Sequence, residues 1–398
     1  MARHGNLILA PGQVVIGSLR KPANTQDLRV AHIIGHLSVG GAEKHFVSLL
    51  NNLSFRNRWA VFTAAKRDGP HLYDQLDPAI NQKDAPIRKR TSIFDVFSLA
   101  RFLRQEGVDV VHAHMFWSNL YGCVAARIAG VPVVVTTEHG ENKWKKARHR
   151  WLERNVISRC TGRRFCVSGS ILERRQHVDG VPSDLLEVTS NGTEIPENPA
   201  TLAKHESPLI GTVGRIVPQK DYPLFVATIA ELRRRGRNVR ACIVGGGPGE
   251  KEVKDCLLEA KLNEVVRMPG MSDDVDAWYR QFDIYLVSSS EEGQPVSLLE
   301  AMSYGLPIVA TDVGAIAQTV RHGEEGLIAP PGDANALADA ICRYLDDPEF
   351  AVKCGERARL RAISEYSIAA IAARYEQVYM DLLARHRSGD TSTDSLEA

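Results

Sequence analysis

The stretch from Ile284 to Glu300, IYLVSSSEEGQPVSLLE, carries the clearest fold signal of this sequence. It begins with four apolar residues, which predict a short buried strand. Three serines follow as a turn, and Pro295 then favours the first turn of a helix, where a backbone N–H is not needed. A buried strand that leads directly into a helix is the repeating unit of a parallel α/β sheet.

The same alternation of apolar strands and helical segments fills both halves of the chain. Further strands are predicted at Val30–Ile34, Trp59–Ala64, Asp109–His112, Val131–Thr136, Arg164–Val167, Leu209–Val213, Arg240–Val244 and Ile308–Ala310. The predicted helices are Ala42–Leu53, Ser92–Gln105, Ser118–Ala129, Lys145–Ser158, Tyr222–Arg235, Lys251–Leu262 and Pro295–Ser303. Because such strands are apolar throughout, each half is predicted to be a parallel sheet covered by helices on both faces.

Length and helix breakers divide the chain into two domains. The 398 residues suffice for two hydrophobic cores. The proline-containing polar stretch 196–207 predicts a linker between an N-terminal domain (29–195) and a C-terminal domain (208–367). Residues 1–28 are expected to form an extension and 386–398 a polar tail, while a helix over 368–385 is expected to pack back toward the N-terminal domain. Ligands of such sheets bind at the carboxyl ends of the strands, so the site is predicted in the cleft between the domains.

The composition excludes several classes of protein. With 44% hydrophobic and 24% charged residues, the chain is not a disordered or fibrous protein. Seven cysteines without a C-x-x-C pair indicate reduced cytoplasmic thiols rather than a disulfide framework, and no apolar run reaches the roughly 18 residues of a membrane span. The net charge of +1 conceals an asymmetry: residues 1–200 carry 27 Lys/Arg against 18 Asp/Glu, whereas residues 201–398 carry 22 against 30.

Residues at the predicted strand ends suit a phosphorylated ligand. Arg215 and Lys220 follow one strand, and such cations can clamp phosphate oxygens, although surface loops are also often basic. The backbone N–H groups of residues 296–298 are predicted to be free and to form an anion site. Glu300 could accept two hydrogen bonds from a vicinal diol such as ribose, or could simply stabilise the helix dipole.

Two shorter motifs are less specific. GGGPG at 245–249 follows a strand but lacks the G-x-G-x-x-G spacing, so a tight turn near a ligand explains it equally well. Asp274-Val275-Asp276 is a D-x-D string, which can bind a metal ion, but it stands at the start of a predicted helix (272–281). Because Asp is a preferred helix cap, we expect capping there and no metal ion.

Four motifs in order resemble a known family. Gly40-Gly41-Ala42-Glu43, Gly214-Arg215 with Lys220, the glycines of 245–249, and Glu292…Glu300 followed by Ala301-Met302 are similar to those of retaining nucleotide-sugar glycosyltransferases of family 4 (glycosyl transferases group 1). The resemblance spans about residues 29–385. It implies the GT-B fold, in which two Rossmann-like parallel-sheet domains face each other across a cleft, and a metal-independent, retaining, hexosyltransferase-type enzyme.

The resemblance also implies roles by position. Arg215 and Lys220 would neutralise the donor diphosphate, Glu300 would hold the ribose hydroxyls, and Glu292 would lie near the donor sugar. The implied donor contacts further include Gly40, Gly41, Gly246, Gly293, Gln294, Pro295, Val296 and Ser297. Gln294 departs from the family pattern, because many relatives have an aromatic or small residue there.

Three histidines end strands in the first half of the chain. His112 and His114 have no carboxylate or thiol at metal-ligand spacing, so they are predicted to be satisfied core or loop residues. His139 resembles the family histidine that approaches the donor sugar. It is therefore expected to be an active-site residue that orients the sugar or the acceptor, without acting as a general base.

The stretch 143–175 is strongly basic, with eleven Lys/Arg against two acids. Trp144 and Trp151, seven residues apart, are predicted to share one face of a helix. Such a helix can lie on an anionic membrane surface, which suits a lipid-linked acceptor; alternatively, the tryptophans pack into the core and the charges are solvated. Nucleic acid is not expected as a partner, because the whole chain is nearly neutral and carries no nucleic-acid motif.

Together these features favour a cytoplasmic enzyme, peripheral to the inner face of the plasma membrane, that transfers sugar from a nucleotide-sugar donor to a saccharide or lipid-linked acceptor. Its product would belong to surface polysaccharide, lipopolysaccharide or glycolipid synthesis. Two alternatives stay open: a nucleotide-sugar epimerase of the same fold and a non-catalytic nucleotide-sugar-binding protein. A dinucleotide oxidoreductase is disfavoured by the glycine spacing at 245–249.

Overall fold

The computed structural model of the chain describes residues 27–65, 69–89, 92–200 and 206–388. Most of the predicted N-terminal extension, residues 201–205 of the predicted linker and residues 389–398 of the predicted tail lie outside the described residues. Within these ranges the chain forms two parallel sheets, one of seven strands and one of six.

The first sheet has the strand order β3-β2-β1-β4-β5-β6-β7. Its strands are β1 (Arg29–Ile34), β2 (Asn57–Phe62), β3 (Asn81–Asp84), β4 (Val110–His114), β5 (Val133–Glu138), β6 (Arg163–Cys166) and β7 (Leu186–Val188). The order reverses between β1 and β4, which pair in parallel with His32 opposite His112. This reversal is the topological switch point at which such sheets bind ligands.

The second sheet has the order β10-β9-β8-β11-β12-β13. Its strands are β8 (Leu209–Val213), β9 (Arg240–Val244), β10 (Val266–Gly270), β11 (Ile284–Val287), β12 (Ile308–Thr311) and β13 (Gly326–Ala329). Here the switch point lies between β8 and β11. The loops after these two strands carry the predicted cations and the predicted E-x7-E pair.

Helices cover both faces of the two sheets. Those of the first half are α1 (Gly41–Asn52), α2 (Ile93–Gln105), α3 (Phe116–Ala129), α4 (Ala147–Leu152), α5 (Ser158–Cys160) and α6 (Gly169–His177). Those of the second half are α7 (Tyr222–Arg234), α8 (Glu250–Glu259), α9 (Val275–Tyr279), α10 (Val296–Ser303), α11 (Ile316–Thr319), α12 (Ala334–Asp346), α13 (Pro348–Glu365) and α14 (Ile368–Ser388). Several begin at a Ser or Asp whose side chain accepts a hydrogen bond from the first turn, as Ser92 and Asp333 do.

The strands of the second sheet are buried on both faces, as their apolar sequences predict. Along β9, Ala241 and Ile243 pack under α7, whereas Cys242 and Val244 pack on the opposite side with the residues of α10. Helix α14 is different, because it leaves the C-terminal half and covers the first sheet. Its Tyr375 and Tyr379 are fully buried in one cluster with β1, β4 and β5.

The predicted helix over Lys145–Ser158 is present but displaced by two residues at each end. Helix α4 begins at Ala147, and a π-helical turn at Glu153–Ile157 joins it to α5. A buried ion cluster adjoins this turn, because the carboxylate of Glu153 contacts both the ammonium of Lys145 and the guanidinium of Arg164. Trp144 therefore precedes the helix and does not share a helical face with Trp151.

The buried cluster generates a prediction about stability. Burial alone would raise the pKa of Glu153, but Arg164 and Lys145 lower it to about 2. Glu153→Ala would remove the nearest carboxylate from both cations and leave them only Glu138 and Asp179, at 3.7–3.9 Å. This loss is expected to reduce the free energy of unfolding by about 3 kcal/mol. Urea denaturation measures this change, with Glu173→Ala at an exposed position of α6 as the control. A loss below about 1 kcal/mol for Glu153→Ala would contradict a buried, mutually dependent cluster.

Candidate active site

The loop that follows β8 carries the two predicted cations. Lys220 ends a short 3₁₀ helix, Pro218–Lys220, and its Nζ donates a hydrogen bond to Glu292 Oε1 at 2.6 Å. Ser289 Oγ donates to the same oxygen at 2.7 Å. The structure therefore brings together two residues that are 72 positions apart in the sequence, one cation and one acid of the predicted site.

Arg215 lies on the same loop and is exposed. Across the cleft it faces Glu43, in the first turn of α1, whose carboxylate folds back over Gly40. Burial raises the pKa of Glu43, and a hydrogen bond from its own backbone together with the charge of Arg215 offset part of that effect. The predicted glycine loop of the first domain thus faces the predicted phosphate-binding loop of the second.

Glu300 is buried in helix α10 and already has partners. The ammonium of Lys44, from α1, contacts its Oε1, and Tyr279 donates a hydrogen bond to Oε2 at 2.7 Å. Burial alone would lower the pKa of Lys44, but the charge of Glu300 raises it. Lys44 therefore contacts the carboxylate that, by the family resemblance, would bind the ribose. Nothing in the sequence indicated the pairing of Lys44 with Glu300.

The N-terminus of α10 is less open than predicted. Pro295 is the N-cap rather than the first helical residue, and its carbonyl accepts a hydrogen bond from Leu298 N–H at 3.1 Å. The prediction that the N–H of Leu298 is free is therefore wrong. Val296 is buried against α1, since a Cβ on Gly41 would lie 3.6 Å from its side chain.

Glycine is required in the loop of residues 293–296, called the donor loop below, and in the glycine-rich turn of residues 245–249. A Cβ on Gly293 would lie 2.7 Å from the carbonyl oxygen of His139, which is closer than real Cβ atoms approach an oxygen. Gly245 has φ +144°, and a side chain there would collide with the carbonyl of Gly214. The next glycine, Gly246, accepts a hydrogen bond from Ile216 N–H at 2.9 Å, so the glycine-rich turn packs directly on the Arg215 loop.

Gln294 does not extend into open space but joins the two domains. Asn191 N–H donates to its Oε1 at 2.7 Å, and Asn191 Nδ2 donates to its backbone carbonyl at 2.9 Å. Its own amide nitrogen lies 3.4 Å from Thr319 Oγ1. Both ends of the side chain are engaged within the protein, so a direct part in sugar binding stays a prediction.

His139 has both ring nitrogens in hydrogen bonds. Nδ1 lies 3.2 Å from Asn191 Oδ1, and Nε2 lies 3.2 Å from Nδ1 of His114. Burial lowers the pKa of His139 to about 4, so the ring is neutral at neutral pH. Its backbone carbonyl, rather than a ring nitrogen, abuts the donor loop; contact between the imidazole and a sugar or acceptor stays a prediction.

The other histidines form a buried group. As predicted, His112 and His114 are satisfied core residues, and both are completely buried on β4. They adjoin His32 of β1, and His32, His112 and His114 bring ring nitrogens within 4.8 Å of one another. His32 could not be recognised in the sequence, because a lone polar residue within an apolar strand gives no sign of its neighbours.

The D-x-D string at 274–276 caps a helix. Asp274 Oδ1 accepts a hydrogen bond from Ala277 N–H at 2.9 Å, so the predicted helix cap is confirmed.

The basic stretch 143–175 is partly buried. The side chains of Lys145, Arg164 and Arg175 are buried, which removes three of the eleven cations from the surface. Trp144 and Trp151 are 50% and 56% exposed, so the alternative in which they pack into the core is wrong.

Two parallel sheets whose switch points meet across a charged cleft define the GT-B glycosyltransferase fold. The family description "Glycosyltransferase Family 4" matches residues 39–195, and "Glycosyl transferases group 1" matches residues 194–361. The chain therefore belongs to the family 4 glycosyltransferases.

Several known proteins are similar over most of their length. An Escherichia coli UDP-Gal:α-D-GlcNAc-diphosphoundecaprenol α-1,3-galactosyltransferase is 26% identical over 89% of this chain and 97% of its own. A 2-deoxystreptamine glucosyltransferase of Streptomyces kanamyceticus is 30% identical over 62% of this chain and 70% of its own. Among solved structures, Anabaena HepE in complex with UDP shares the fold, with a TM-score of 0.78, 18% identity and coverage of 89% of this chain and 100% of HepE.

Within the described residues, none of the helices combines the length and the apolar character that crossing a bilayer requires.

The buried histidines generate a prediction about pH. Burial lowers the pKa of His32 and His45 to about 3 and depresses those of His112 and His114 as well, whereas the unfolded chain takes up protons near pH 6.5. The unfolded state therefore binds more protons below that pH, so stability is complete above pH 6.5 and falls as the solution is acidified. Each histidine contributes a slope of up to about 1.4 kcal/mol per pH unit.

Urea denaturation between pH 7.5 and 5 measures that slope. His45→Gln should make it shallower, because one buried titrating group is removed, whereas His177→Gln at an exposed site should leave it unchanged. Equal slopes in the wild type and His45→Gln would show that His45 does not resist protonation in the folded state.

Proposed function

We propose that this protein transfers a sugar from a nucleotide-sugar donor to a saccharide or lipid-linked acceptor, with retention of the anomeric configuration and without a metal ion. One observation carries the proposal: Lys220 pairs with Glu292 after the switch-point strands of the second sheet, while Glu300 and Arg215 reach Lys44 and Glu43 of α1 in the first domain. The relatives support the donor class, since one is named as a UDP-galactose-dependent transferase and HepE was solved with UDP.

The cleft groups match the charge that develops during transfer. When the sugar–phosphate bond breaks, negative charge accumulates on the departing nucleoside diphosphate. Arg215, Lys220 and the first amides of α10 offer fixed positive charge and hydrogen-bond donors at the place where that group would lie. Because these cations can supply the needed compensation, we expect the reaction to proceed without a metal ion, with activity retained in EDTA.

The ion pairs of the cleft suggest how the donor enters. In the structure Lys220 neutralises Glu292, and Lys44 neutralises Glu300. A bound nucleotide would offer ribose hydroxyls to Glu300 and phosphate oxygens to the lysines. Donor binding would then replace the contacts of the lysines with Glu292 and Glu300 by contacts with phosphate oxygens, and the ribose hydroxyls would donate hydrogen bonds to Glu300.

The acceptor side has an apolar and basic rim. Helices α2 and α3 start at the carboxyl ends of β3 and β4, which is the edge of the sheet that faces the cleft. At the start of α2, Ile93, Phe94 and Phe97 are 64%, 81% and 55% exposed. Trp144 and Trp151, which flank the cations Lys145, Lys146, Arg148 and Arg150 in the sequence, are exposed as well. We therefore propose an anionic membrane surface, at the cytoplasmic side, as the place where a lipid-linked acceptor is met.

The two alternative functions, epimerase and non-catalytic binding protein, predict different products from the same nucleotide sugar. A nucleotide-sugar epimerase would interconvert free nucleotide sugars without an acceptor, and a non-catalytic protein would bind them unchanged. The complete set of Arg215, Lys220, Glu292 and Glu300 favours catalysis over mere binding. A screen of UDP-, GDP- and ADP-sugars by thermal shift, followed by product analysis with and without acceptor, separates the three functions.

Removing either predicted phosphate-binding cation should abolish most transfer. For Arg215→Ala or Lys220→Ala we expect kcat to fall by about 10²–10³-fold, the size of effect found when one preorganised charge-stabilising group is deleted. The assay measures release of nucleoside diphosphate at saturating donor. Lys251→Ala, at an exposed position of α8, is the matched control, and circular dichroism checks the fold. Turnover within threefold of the wild type in both cleft variants would exclude their proposed role.

Membrane association generates a separate prediction. The wild type should co-sediment with phosphatidylglycerol vesicles more strongly than with phosphatidylcholine vesicles, and less so at high salt. A charge-reversed K146E/R148E variant should bind anionic vesicles roughly 25-fold more weakly, at about 1 kcal/mol for each cation lost. The control is K251E/K254E, which reverses two cations of α8 in the other domain. Equal binding to both lipids by the wild type would rule out an electrostatic membrane contact.

A further inference from the structure

We infer that Asn191 positions His139 by fixing its tautomer. His139 thereby sets the direction of a hydrogen-bond chain that continues through three buried histidines, and the contact between the two domains selects that direction. The inference rests on the proposed function only in treating His139 as a residue of the donor cleft. The chain itself follows from the contacts of the described residues.

The chain begins at an amide pair between the domains. Thr319 Oγ1 donates its proton to Ala315 O at 2.8 Å, so it accepts from Gln294 Nε2. Gln294 Oε1 is then free to accept from Asn191 N–H at 2.7 Å. Asn191 Nδ2 donates to the carbonyl of Gln294 at 2.9 Å, which turns Asn191 Oδ1 toward His139. Each amide is thus fixed in one of its two orientations.

An oxygen acceptor beside His139 decides which ring nitrogen carries the proton. Asn191 Oδ1 lies 3.2 Å from Nδ1 of His139, so that nitrogen must be the donor. The ring of His139 is neutral, and its Nε2 is therefore an acceptor, which requires His114 Nδ1 to donate across 3.2 Å. By the same rule His114 Nε2 accepts from Nδ1 of His32 at 3.1 Å.

The chain continues to the C-terminal helix. His32 Nε2 can accept only from the hydroxyl of Tyr379 in α14, at 3.4 Å. Since Tyr379 has one proton, its oxygen must in turn accept from His112 Nδ1 at 2.5 Å, and His112 Nε2 accepts from Thr137 Oγ1 at 2.7 Å. All four histidines are therefore in the Nδ1–H form, and every donor points toward the contact with the second domain.

The same geometry argues against a metal ion among His32, His112 and His114. A metal ion would need the lone pairs that accept hydrogen bonds in the chain, and it would displace the protons between the rings. In the described part of the protein none of these three rings has a buried nitrogen without a partner. Hydrogen bonds already engage every ring nitrogen of the cluster. Within the described residues, no carboxylate belongs to the cluster that could balance the charge of a divalent ion.

The hydrogen bonds of such a chain can all run toward the second domain or all run away from it. If some ran one way and some the other, two donors or two acceptors would face each other inside the core, which is costly. If the domains separated, Asn191 would lose both contacts with Gln294, and its amide could turn to donate to His139. Every histidine would then change tautomer, and the hydroxyl of Tyr379 would reverse. Contact with the donor loop therefore selects one direction and with it the hydrogen-bonding face that His139 presents.

Nitrogen NMR tests the chain directly. In protein labelled with ¹⁵N-histidine, two-bond ¹H–¹⁵N correlations identify the tautomer of each ring, with single His→Gln variants giving the assignments. We expect His32, His112, His114 and His139 of the wild type to show the Nδ1–H pattern. Asn191→Leu should move His139, and also His114 and His32, which Asn191 does not touch, into mixed tautomers. Asn191→Asp keeps an acceptor oxygen and should preserve the Nδ1–H form of His139.

Several outcomes would overturn the inference. One is an Nε2–H pattern for His139 or His114 in the wild type, and another is an unchanged spectrum in Asn191→Leu. A third is a stoichiometric metal ion in elemental analysis of the purified protein. Should Asn191→Leu not fold, Tyr379→Phe removes the hydroxyl that links His32 to His112 and should move both rings into mixed tautomers. No shift of either ring would contradict the chain. None of these measurements depends on sugar transfer, so they remain decisive even if the proposed function fails.

Discussion

The structure depends on the close approach of one loop of the second domain to the first. Residues 293–296 reach the first domain so closely that Gly293 has no room for a side chain beside the carbonyl of His139. The same approach brings Lys44 to Glu300, seats Val296 against Gly41 and joins Gln294 to Asn191. The charged cleft, the orientation of His139 and the histidine chain behind it all follow from this single contact.

The sequence predicted the inner strands of both sheets and missed the outer ones. All nine predicted strands are present, with ends displaced by at most two residues. The four missed strands, β3, β7, β10 and β13, are the edge strands of their sheets. Interior strands have neighbours on both sides and helices on both faces, so they need continuous apolar runs. An edge strand such as β3, with the exposed sequence NQKD, carries no such pattern.

The candidate site was predictable where its residues are close in sequence or match a motif, as for Arg215, Lys220, Glu292 and Glu300. It was not predictable where a partner comes from a distant element or from the other domain. Lys44, Asn191 and His32 occupy decisive positions, yet each is an ordinary residue in its local sequence. The buried pairing of Glu153 with Arg164 was missed for the same reason, because the two residues belong to different elements.

Helix α14 has a consequence for how this chain is made. This helix, the last of those in the described residues, supplies Tyr375 and Tyr379 to the core of the first domain, beside strands that leave the ribosome more than 200 residues earlier. During synthesis that surface of the first sheet stays uncovered, with the rings of His32 and His112 lacking their hydroxyl partner. The N-terminal domain can therefore complete its core only after α14 has been synthesised.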